Sequence, residues 1–265
     1  MNGVLVAAVQ LDSGEDEERN FARARELCLR ARARGAEFVC LPENVLYEGP
    51  DTARRHPIEH WEERFAALAR ELGCPLAAGT LREPAGDRAH NTLLLFAGDG
   101  RTLARYRKIH LFDVDVPGGP RERESEAIAP GAPEPTAAEV PGLGTVGLSI
   151  CYDLRFPELY RALAARGARI LLVPASFALG TGKDHWITLL RARAIENTAY
   201  VIAPDQFGRK AHGRVKFGKS AIVDPWGTVL AQAREGEDVV LAEIDFDLLA
   251  RVRRALPCLE HRRLS

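Results

Sequence analysis

The sequence predicts an α/β protein in which helices cover the outer faces of two β-sheets. Apolar segments of strand length alternate along the chain with longer segments of helical periodicity. The nine residues 34–42 (RGAEFVCLP) also recur as 166–174 (RGARILLVP), and each copy has the pattern of helix end, glycine, buried strand and proline. This repeat indicates two similar helix–strand units related by an approximate twofold axis. The alternative is a chance match between two glycine-capped connections.

The individual elements follow from apolar periodicity and from the positions of glycine and proline. A first strand at 4–10 is followed by a helix at 17–34, which ends before Gly35, a residue suited to a helix C-cap. The first half continues with strand 37–41, helix 58–72 ending at Gly73, strand 75–81, and hairpin strands 91–96 and 102–108. The second half contains helix 157–166, strand 170–173, helix 183–198, strands 200–204, 220–223, 229–233 and 239–244, and a last helix at 247–255.

A charged stretch rich in proline and glycine, residues 116–141, separates the two halves. It has no apolar period and is therefore predicted to be a long loop, a kind of segment that is usually functional or mobile. The 265 residues are enough for a large core and fit a single domain spanning 1–265.

Composition excludes several classes of function. The formal net charge is −1 with acidic and basic residues mixed, so neither nucleic-acid binding nor a charged tail is predicted. No apolar segment approaches the length of a membrane span, and the apolar run 4–9 has neither a basic flank nor a cleavage site. The five cysteines are scattered without CxxC spacing, which argues against disulfides and a metal site and favours a cytoplasmic location.

Cys151 is the first candidate for chemistry. An apolar run ends on this cysteine, turns through short polar residues and restarts as the helix predicted at 157–166. A thiol that faces a helix N-terminus is placed where the helix dipole favours a thiolate, as in a nucleophile elbow. An ordinary buried cysteine at a strand end is equally compatible with the segment.

A thiol nucleophile needs a base, and histidine is the usual one. The chain offers His110, His185 and His212, but no local signature connects any of them with Cys151.

Two charged residues are further candidates. Glu43 lies just beyond a buried strand, where partial desolvation would raise its basicity, although a loop or helix-cap carboxylate fits the position equally well. Lys108 ends a hairpin strand, where its ordinary role is that of a solvated edge charge. Neither residue is decisive alone.

Three segments taken together resemble the signatures of the carbon–nitrogen hydrolase (nitrilase) superfamily: 41–44 (LPEN), 106–111 (YRKIHL) and 151–158 (CYDLRFPE). The resemblance continues through 112–118, 182–186, 191–197 and 223–227 and so covers nearly the whole chain. The branch that the chain resembles most is that of the Nit-type amidases, which includes deaminated glutathione amidase and omega-amidase.

The resemblance implies a four-layer αββα sandwich, paired into homodimers or higher homo-oligomers, and a reaction without a cofactor or metal. It also implies roles for four residues. Cys151 would attack an amide carbonyl to form a thioester, and Glu43 would serve as general base. Lys108 and the backbone N–H of Tyr152 would stabilise the oxyanion, a role that physical chemistry supports. Lys108 would also favour the Cys151 thiolate.

Further residues are implied by position in the family pattern. Glu124, or less clearly Glu126, fits a second glutamate between the lysine and the cysteine, although such a residue could also be a solvated loop carboxylate. Arg155, Phe177 and Thr181 match positions that line the substrate pocket.

Arg155 could pair bidentately with a substrate carboxylate. A structural ion pair with Asp153 or Glu158 is an equally weighted alternative.

The expected protein is thus a cytoplasmic amidase that cleaves a small carboxylate-bearing amide through a Cys151 thioester, with release of ammonia. Deaminated glutathione is the favoured substrate. The alternatives are an omega-amidase acting on alpha-ketoglutaramate-like compounds, an N-carbamoyl amidohydrolase, an acyltransferase, and a catalytically silent scaffold. The expected partners are the small amide and further copies of the chain, without nucleic acid or membrane.

Overall fold

A computed structural model describes residues 3–52, 54–115 and 121–264. Its first sheet has six strands in the order β16-β1-β2-β3-β4-β5. Strands β1 to β3 run parallel, and the flanking strands pair antiparallel. The bounds of these strands are β1 Gly3–Gln10, β2 Phe38–Cys40, β3 Leu76–Ala85, β4 Arg88–Phe96, β5 Thr102–Arg107 and β16 Asp238–Asp245.

The second sheet also has six strands, in the order β15-β14-β11-β10-β9-β8. Its strands are β8 Thr136–Val140, β9 Gly144–Leu148, β10 Ile170–Leu172, β11 Tyr200–Ala203, β14 Ala221–Val223 and β15 Val229–Gln232. Two small hairpins complete the described strands: β6 Asp113–Asp115 with β7 Arg121–Arg123, and β12 Phe207–Arg209 with β13 Val215–Phe217. The helices are α1 Glu17–Ala33, α2 Ile58–Leu72, α3 Pro157–Ala165, α4 Leu179–Asn197 and α5 Phe246–Ala255.

The two large sheets have the same topology. Each has three parallel strands, with one antiparallel strand on one side and two on the other. The repeated sequences 34–42 and 166–174 supply β2 and β10, which occupy the same place in their sheets. The prediction of two similar units is therefore confirmed.

Three apolar layers show how the sheets and helices are stacked. One layer lies between the first sheet and α1 and α2, a second lies between the two sheets, and a third lies between the second sheet and α3 and α4. Strand alternation creates these layers, since Ala7 and Val9 face the helices while Val6 and Ala8 face the other sheet. Each fully buried large side chain stabilises the fold by about 1.5–3 kcal/mol. The predicted αββα sandwich is confirmed.

The helix ends are capped, and Gly73 has the role predicted for it. Asp16 caps α1 by accepting the Arg19 N–H at 3.0 Å, and Gly73 ends α2 in the left-handed conformation, with a φ of 62°. No helix in the described residues is long and apolar enough to cross a bilayer.

The expectation of an irregular loop over residues 116–141 is partly wrong. Residues 116–120 lie outside the described part of the chain, but β8 pairs along its length with β9. Gly142 in the connection and Gly144 at the start of β9 both have positive φ, which permits a turn too tight for most residues. The weak apolarity of β8 hid it from a periodicity analysis.

Three other elements differ from expectation. Helix α4 begins at Leu179 instead of residue 183, because packing overrides the poor helix propensity of two glycines in its first turn. Strand β3 extends to Ala85 and pairs with β4 as a long hairpin. The hairpin of β12 and β13 was not predicted, since neither three-residue strand has a clear alternating pattern.

Candidate active site

A cavity of about 800 Å³ opens where the carboxyl ends of the parallel strands in both sheets meet. Glu43 follows β2 and Lys108 follows β5, so the first sheet contributes both. Cys151 follows β9 and comes from the second sheet. All three residues line the cavity, although 65 and 43 positions separate them in sequence. This end of an α/β sheet is where ligands usually bind.

Cys151 begins a five-residue 3₁₀ helix, Cys151–Arg155, with a φ of 47°. A positive φ is uncommon for a residue with a side chain and often marks a functional position. The conformation is held by the Cys151 N–H, which donates to the Pro174 carbonyl at 2.9 Å. It is also held by buried Asp153, which accepts the Ile150 N–H at 2.9 Å and the Tyr106 hydroxyl at 2.6 Å. Hydrogen bonds from neighbouring elements thus hold Cys151 at the turn that follows β9.

Glu43 is 3% exposed, and both of its carboxylate oxygens are bound. Oε1 accepts the side-chain amide of Asn91 at 2.8 Å and the Lys108 ammonium at 3.1 Å. Oε2 accepts the backbone N–H of Ser176 at 2.8 Å. The carboxylate is therefore a fixed group inside the protein, not a helix cap or a solvated loop residue.

Lys108 is 2% exposed and lies between two carboxylates. Its Nζ is 3.1 Å from Glu43 Oε1 and 2.9 Å from Glu124 Oε2. Burial works against the charge, but Glu124 and Glu43 outweigh it and hold the pKa of Lys108 well above its usual value. Lys108 is a buried permanent cation and not a solvated edge charge.

Glu124 and Glu126 are distinguished by their contacts. Glu124 Oε1 also lies 3.0 Å from the Lys108 ammonium, and its Oε2 accepts the Phe112 N–H at 2.6 Å. Glu126 borders the same cavity, but its described contacts do not include Lys108. Of the two candidates, Glu124 is the one joined to the buried lysine.

Lys108 favours the Cys151 thiolate, as expected, but it does not decide the state of the thiol. Burial and the nearby Glu43 carboxylate outweigh the favourable Lys108 charge and hold the pKa of the Cys151 thiol well above its usual value. The neutral thiol form is therefore favoured, and the Glu43 carboxylate is the charged group that disfavours the thiolate. A neutral thiol beside a fixed carboxylate suits proton transfer in the course of a reaction.

The three candidate histidines do not pair with Cys151 in the described contacts. His110 lies 2.7 Å from Asp153 and stacks on Phe156, while His185 contacts Arg155 at 3.2 Å. His212 lies 3.9 Å from Glu48.

Tyr152, Arg155, Phe177 and Thr181 all line the cavity. The Arg155 guanidinium lies over the rings of Phe177 and Tyr152, with its Cζ 5.4 Å and 5.8 Å from their centroids. Within residues 3–52, 54–115 and 121–264, no carboxylate lies within ion-pair distance of Arg155. Asp153 is instead bound to Tyr106 and His110, so the alternative of a structural ion pair is not observed.

Two further features of the cavity suit an incoming substrate. The Tyr152 N–H has no hydrogen-bond acceptor within the described ranges, and it stands next to the thiol. Thr181 lies in the first turn of α4, which also lines the cavity, and the N-terminal end of a helix favours an anion.

Several cavity residues were missed by sequence reasoning. Asn91 binds Glu43 from β4, and Ser176 does so from the segment after β10. Buried Glu48 and partly buried Lys216 form an ion pair of 3.1 Å on the same wall. The one sequence signal for such residues is their position just after a buried strand. A single sequence does not show which strands lie next to each other. Across the described ranges, no three His, Cys, Asp or Glu side chains are grouped to hold a metal ion.

Comparison with known proteins gives concordant results. The family model for carbon–nitrogen hydrolases matches residues 5–254. The deaminated glutathione amidase of Synechocystis sp. is 45% identical over 269 residues, which cover 99% of both chains. The omega-amidase NIT2 of Xenopus tropicalis is 39% identical over 252 residues, covering 93% of this chain and 90% of that protein.

The crystal structure of the C. elegans NitFhit protein superimposes with a TM-score of 0.91 at 39% identity. The match covers 98% of this chain, which spans 65% of the NitFhit chain.

The chain belongs to the carbon–nitrogen hydrolase family, as its motifs predicted. It is accordingly a hydrolase of carbon–nitrogen bonds other than peptide bonds.

Proposed function

We propose that this protein is an amidase that cleaves a small carboxylate-bearing amide through a thioester on Cys151. The observation that carries the proposal is the convergence of a thiol, a buried carboxylate and a buried ammonium on one cavity. Nucleophile, base and oxyanion donor are the three parts that such a reaction requires.

In the acylation step, the Cys151 sulfur attacks the amide carbonyl carbon while its proton passes to Glu43. The carbonyl oxygen becomes an oxyanion. When the tetrahedral intermediate collapses, the carbon–nitrogen bond breaks and Glu43 returns the proton to the departing nitrogen. A neutral amine or ammonia leaves, and the acyl group remains on sulfur as a thioester.

Stabilisation of the oxyanion is assigned to Lys108 and to the Tyr152 N–H. The Lys108 ammonium is held in place by Glu43 and Glu124, so it needs no reorganisation when charge develops on the substrate. One donor of this kind contributes about 3–4 kcal/mol to the lowering of a barrier.

Deacylation repeats the proton transfers with water. Glu43 takes a proton from the attacking water, the new carbon–oxygen bond forms and the carbon–sulfur bond breaks. The proton on Glu43 then returns to the sulfur, which restores the neutral thiol. The atoms and protons of both steps are therefore accounted for by the substrate, one water molecule, Cys151 and Glu43.

Recognition of a substrate carboxylate is assigned to Arg155, together with Phe177 and Thr181. The guanidinium lies over two aromatic rings, and no carboxylate of the described residues pairs with it, which suits bidentate binding of an anion. We favour deaminated glutathione as the substrate, because relatives that match nearly the whole chain carry that name. With that substrate the leaving group is the peptide amine, whereas ammonia leaves from a primary amide.

The second candidate is omega-amidase activity, supported by the similarity to the Xenopus enzyme. It would use the same acylation chemistry and the same carboxylate contact on a shorter substrate. A cavity of about 800 Å³ accommodates either compound, so size does not discriminate between them.

A substrate panel tests the proposal. Amine release would be measured for deaminated glutathione, alpha-ketoglutaramate, simple nitriles and N-carbamoyl amino acids, with mass spectrometry of the enzyme after brief exposure. Turnover of the first two, with an acyl adduct on Cys151, is expected. No adduct and no amine from any amide would favour a silent scaffold. Transfer of the acyl group to an added amine faster than to water would favour an acyltransferase.

Two further assignments complete the proposal. We place the protein in a reducing cytoplasm, since all five cysteines are free thiols. Fractionation of the native cells would test this location.

We also propose a homo-oligomer, because Ile195 and Trp226 are large apolar side chains exposed at 47% and 59%. Light scattering on the purified protein would give the number of subunits.

A further inference from the structure

A second ion pair, between buried Glu48 and partly buried Lys216, lies on the cavity wall outside the proposed reaction. Glu48 is 5% exposed, and its Oε1 is 3.1 Å from the Lys216 ammonium. Its other oxygen accepts the Asn44 side-chain amide at 2.9 Å and the Ser176 hydroxyl at 2.8 Å. A largely buried pair with this many hydrogen bonds is expensive to desolvate and adds little net stability, so its presence beside a cavity needs a reason.

Ser176 links this pair to Glu43. Its N–H donates to Glu43 Oε2 at 2.8 Å, its hydroxyl donates to Glu48, and its carbonyl accepts the Lys216 ammonium at 3.2 Å. Glu48 thus holds the hydroxyl of Ser176 and Lys216 holds its carbonyl, while the N–H of the same residue holds Glu43. Asn44, which Glu48 also holds, is the direct chain neighbour of Glu43 and has a φ of 55°.

The pair also balances charge around the reacting groups. Lys216 interacts electrostatically with Glu43 and with Cys151, and Glu48 carries the opposite charge beside it. The other charged or titratable groups that face this region are Lys108, Glu124 and Asp205 around Glu43, and Lys210, His212 and Glu122 around Glu48. Removal of one member of the pair would therefore leave one uncompensated charge near the thiol and its base.

We propose that the Glu48–Lys216 ion pair is a positioning device that aims the Glu43 carboxylate and keeps the charge around the Cys151–Glu43 pair balanced. The inference rests on the proposed role of Glu43 as base. It assigns Glu48 and Lys216 as positioning residues, since they act on Glu43 through Ser176 and Asn44 instead of on the substrate.

Three variants test the proposal: Glu48→Gln, Lys216→Gln and the double variant that combines them. Glutamine keeps hydrogen-bonding capacity and removes the charge. In Lys216→Gln the acidic limb of the pH profile of kcat/KM is expected to move up by about one pH unit, because a neighbouring cation is lost. In Glu48→Gln it is expected to move down by a similar amount, because a neighbouring anion is lost.

The rates supply a second readout. Each single variant is expected to lose about tenfold in kcat/KM at its optimum through misplacement of the carboxylate, mainly in kcat. The double variant is expected to recover the wild-type limb and most of the rate, since the charge is balanced again. Lys183→Gln, an exposed lysine outside the cavity, is the matched control and should leave both unchanged.

Two results would overturn the proposal: limbs that stay in place in both single variants, or limbs that move in the same direction. If Glu48 and Lys216 had a structural role alone, the variants would have a lower melting temperature, but their acidic limbs would not move in opposite directions. If one single variant does not fold, the other single and the double decide the question. The acidic limb of the single variant that folds must then move in its assigned direction, and in the double variant it must return to the wild-type position.

Alkylation separates this inference from the proposed amidase activity. The rate at which iodoacetamide modifies Cys151 is measured against pH in the same variants, and it requires no turnover. Opposite shifts of that profile would support the positioning pair even if the wild-type protein hydrolysed no amide. Turnover of amides with unmoved profiles would sustain the amidase proposal and refute the positioning pair.

Discussion

The side-chain amide of Asn91 donates to Glu43 Oε1 at 2.8 Å, and the backbone carbonyl of the same residue accepts the Lys108 N–H at 2.9 Å. Asn91 thereby joins the carboxylate proposed as base to the strand end that carries the proposed oxyanion donor. Its amide also lies 3.5 Å from Glu124 Oε1. One neutral side chain thus spans the two acidic groups that flank the lysine.

Replacement of this amide is expected to slow catalysis without unfolding the protein. Asn91→Ala should lower kcat/KM about 10- to 100-fold, the range expected when a hydrogen bond to a charged group is lost. Steady-state kinetics and thermal melting measure the two effects. Asn91→Asp should be worse than Asn91→Ala, since it adds a third carboxylate beside Lys108; the reverse order would contradict the assignment.

Loss of the thiol is expected to abolish turnover. Cys151→Ala should lower kcat by at least about 10³-fold, because no other group can form the acyl intermediate. Circular dichroism should be unchanged, since the hydrogen bonds that hold the turn involve the backbone and Asp153 and not the sulfur. Cys258→Ala is the matched control, as that cysteine is exposed, and it should be fully active. Appreciable activity of Cys151→Ala would refute the thioester.

The two loop glutamates should respond differently. Glu124→Gln weakens the hold on the Lys108 ammonium and is expected to lower kcat about 100-fold. Glu126→Gln, which borders the same cavity without contacting that lysine, should stay within about threefold of wild type. Parallel kinetics on the two variants give the comparison. Equal losses would show that the contact with Lys108 is not what matters.

Arg155 should discriminate between acidic and neutral amides. Arg155→Ala is expected to raise KM for carboxylate-bearing amides about 10- to 100-fold, the cost of losing a charge-assisted bidentate contact. Neutral amides of similar length should change only about twofold. Arg166→Ala, an exposed arginine outside the cavity, serves as control. A loss that is the same for both substrate types would remove the carboxylate role.

His56 should make stability depend on pH. Burial, with the nearby Arg82 and Arg54 charges, lowers the pKa of His56 from 6.5 to about 3. Because this folded-state value lies below the unfolded one, stability that is present above pH 6.5 is lost as the pH falls toward 3. The expected loss is about 1 kcal/mol per pH unit.

Urea unfolding between pH 7.5 and 4.5 measures this dependence. In His56→Gln, where the side-chain oxygen can still accept the Arg82 N–H that now binds His56 Nδ1 at 2.9 Å, the slope should be smaller. An identical slope in both proteins would assign the pH dependence to other groups.

Much of the fold could be predicted from one sequence because local patterns determine it. Helix α2 begins and ends where its periodicity and Gly73 predict, and the repeated nonapeptides correctly place β2 and β10 as equivalent strands. Strand β8 escaped prediction because its stability comes from pairing with β9, a tertiary effect that leaves little trace in composition.

The candidate site divides in the same way. Glu43, Lys108 and Cys151 stand in recognisable motifs, so the sequence alone named them, while their roles stay proposals. Ser176 and the Glu48–Lys216 pair carry no motif. Ser176 follows β10, Lys216 lies in β13 and Glu48 follows β2, and the meeting of these segments follows only from the three-dimensional arrangement of the sheets. The state of the thiol also depended on burial, which the motif could not report.

Cys151 and Glu43 follow strands of different sheets. Formation of either sheet by itself therefore does not create a competent thiol. We expect the catalytic centre to be assembled only when the two sheets pack against each other through their shared apolar layer. During refolding, enzyme activity should then recover at the rate at which the two sheets pack together. This recovery should come later than the spectroscopic signal of helix or strand formation.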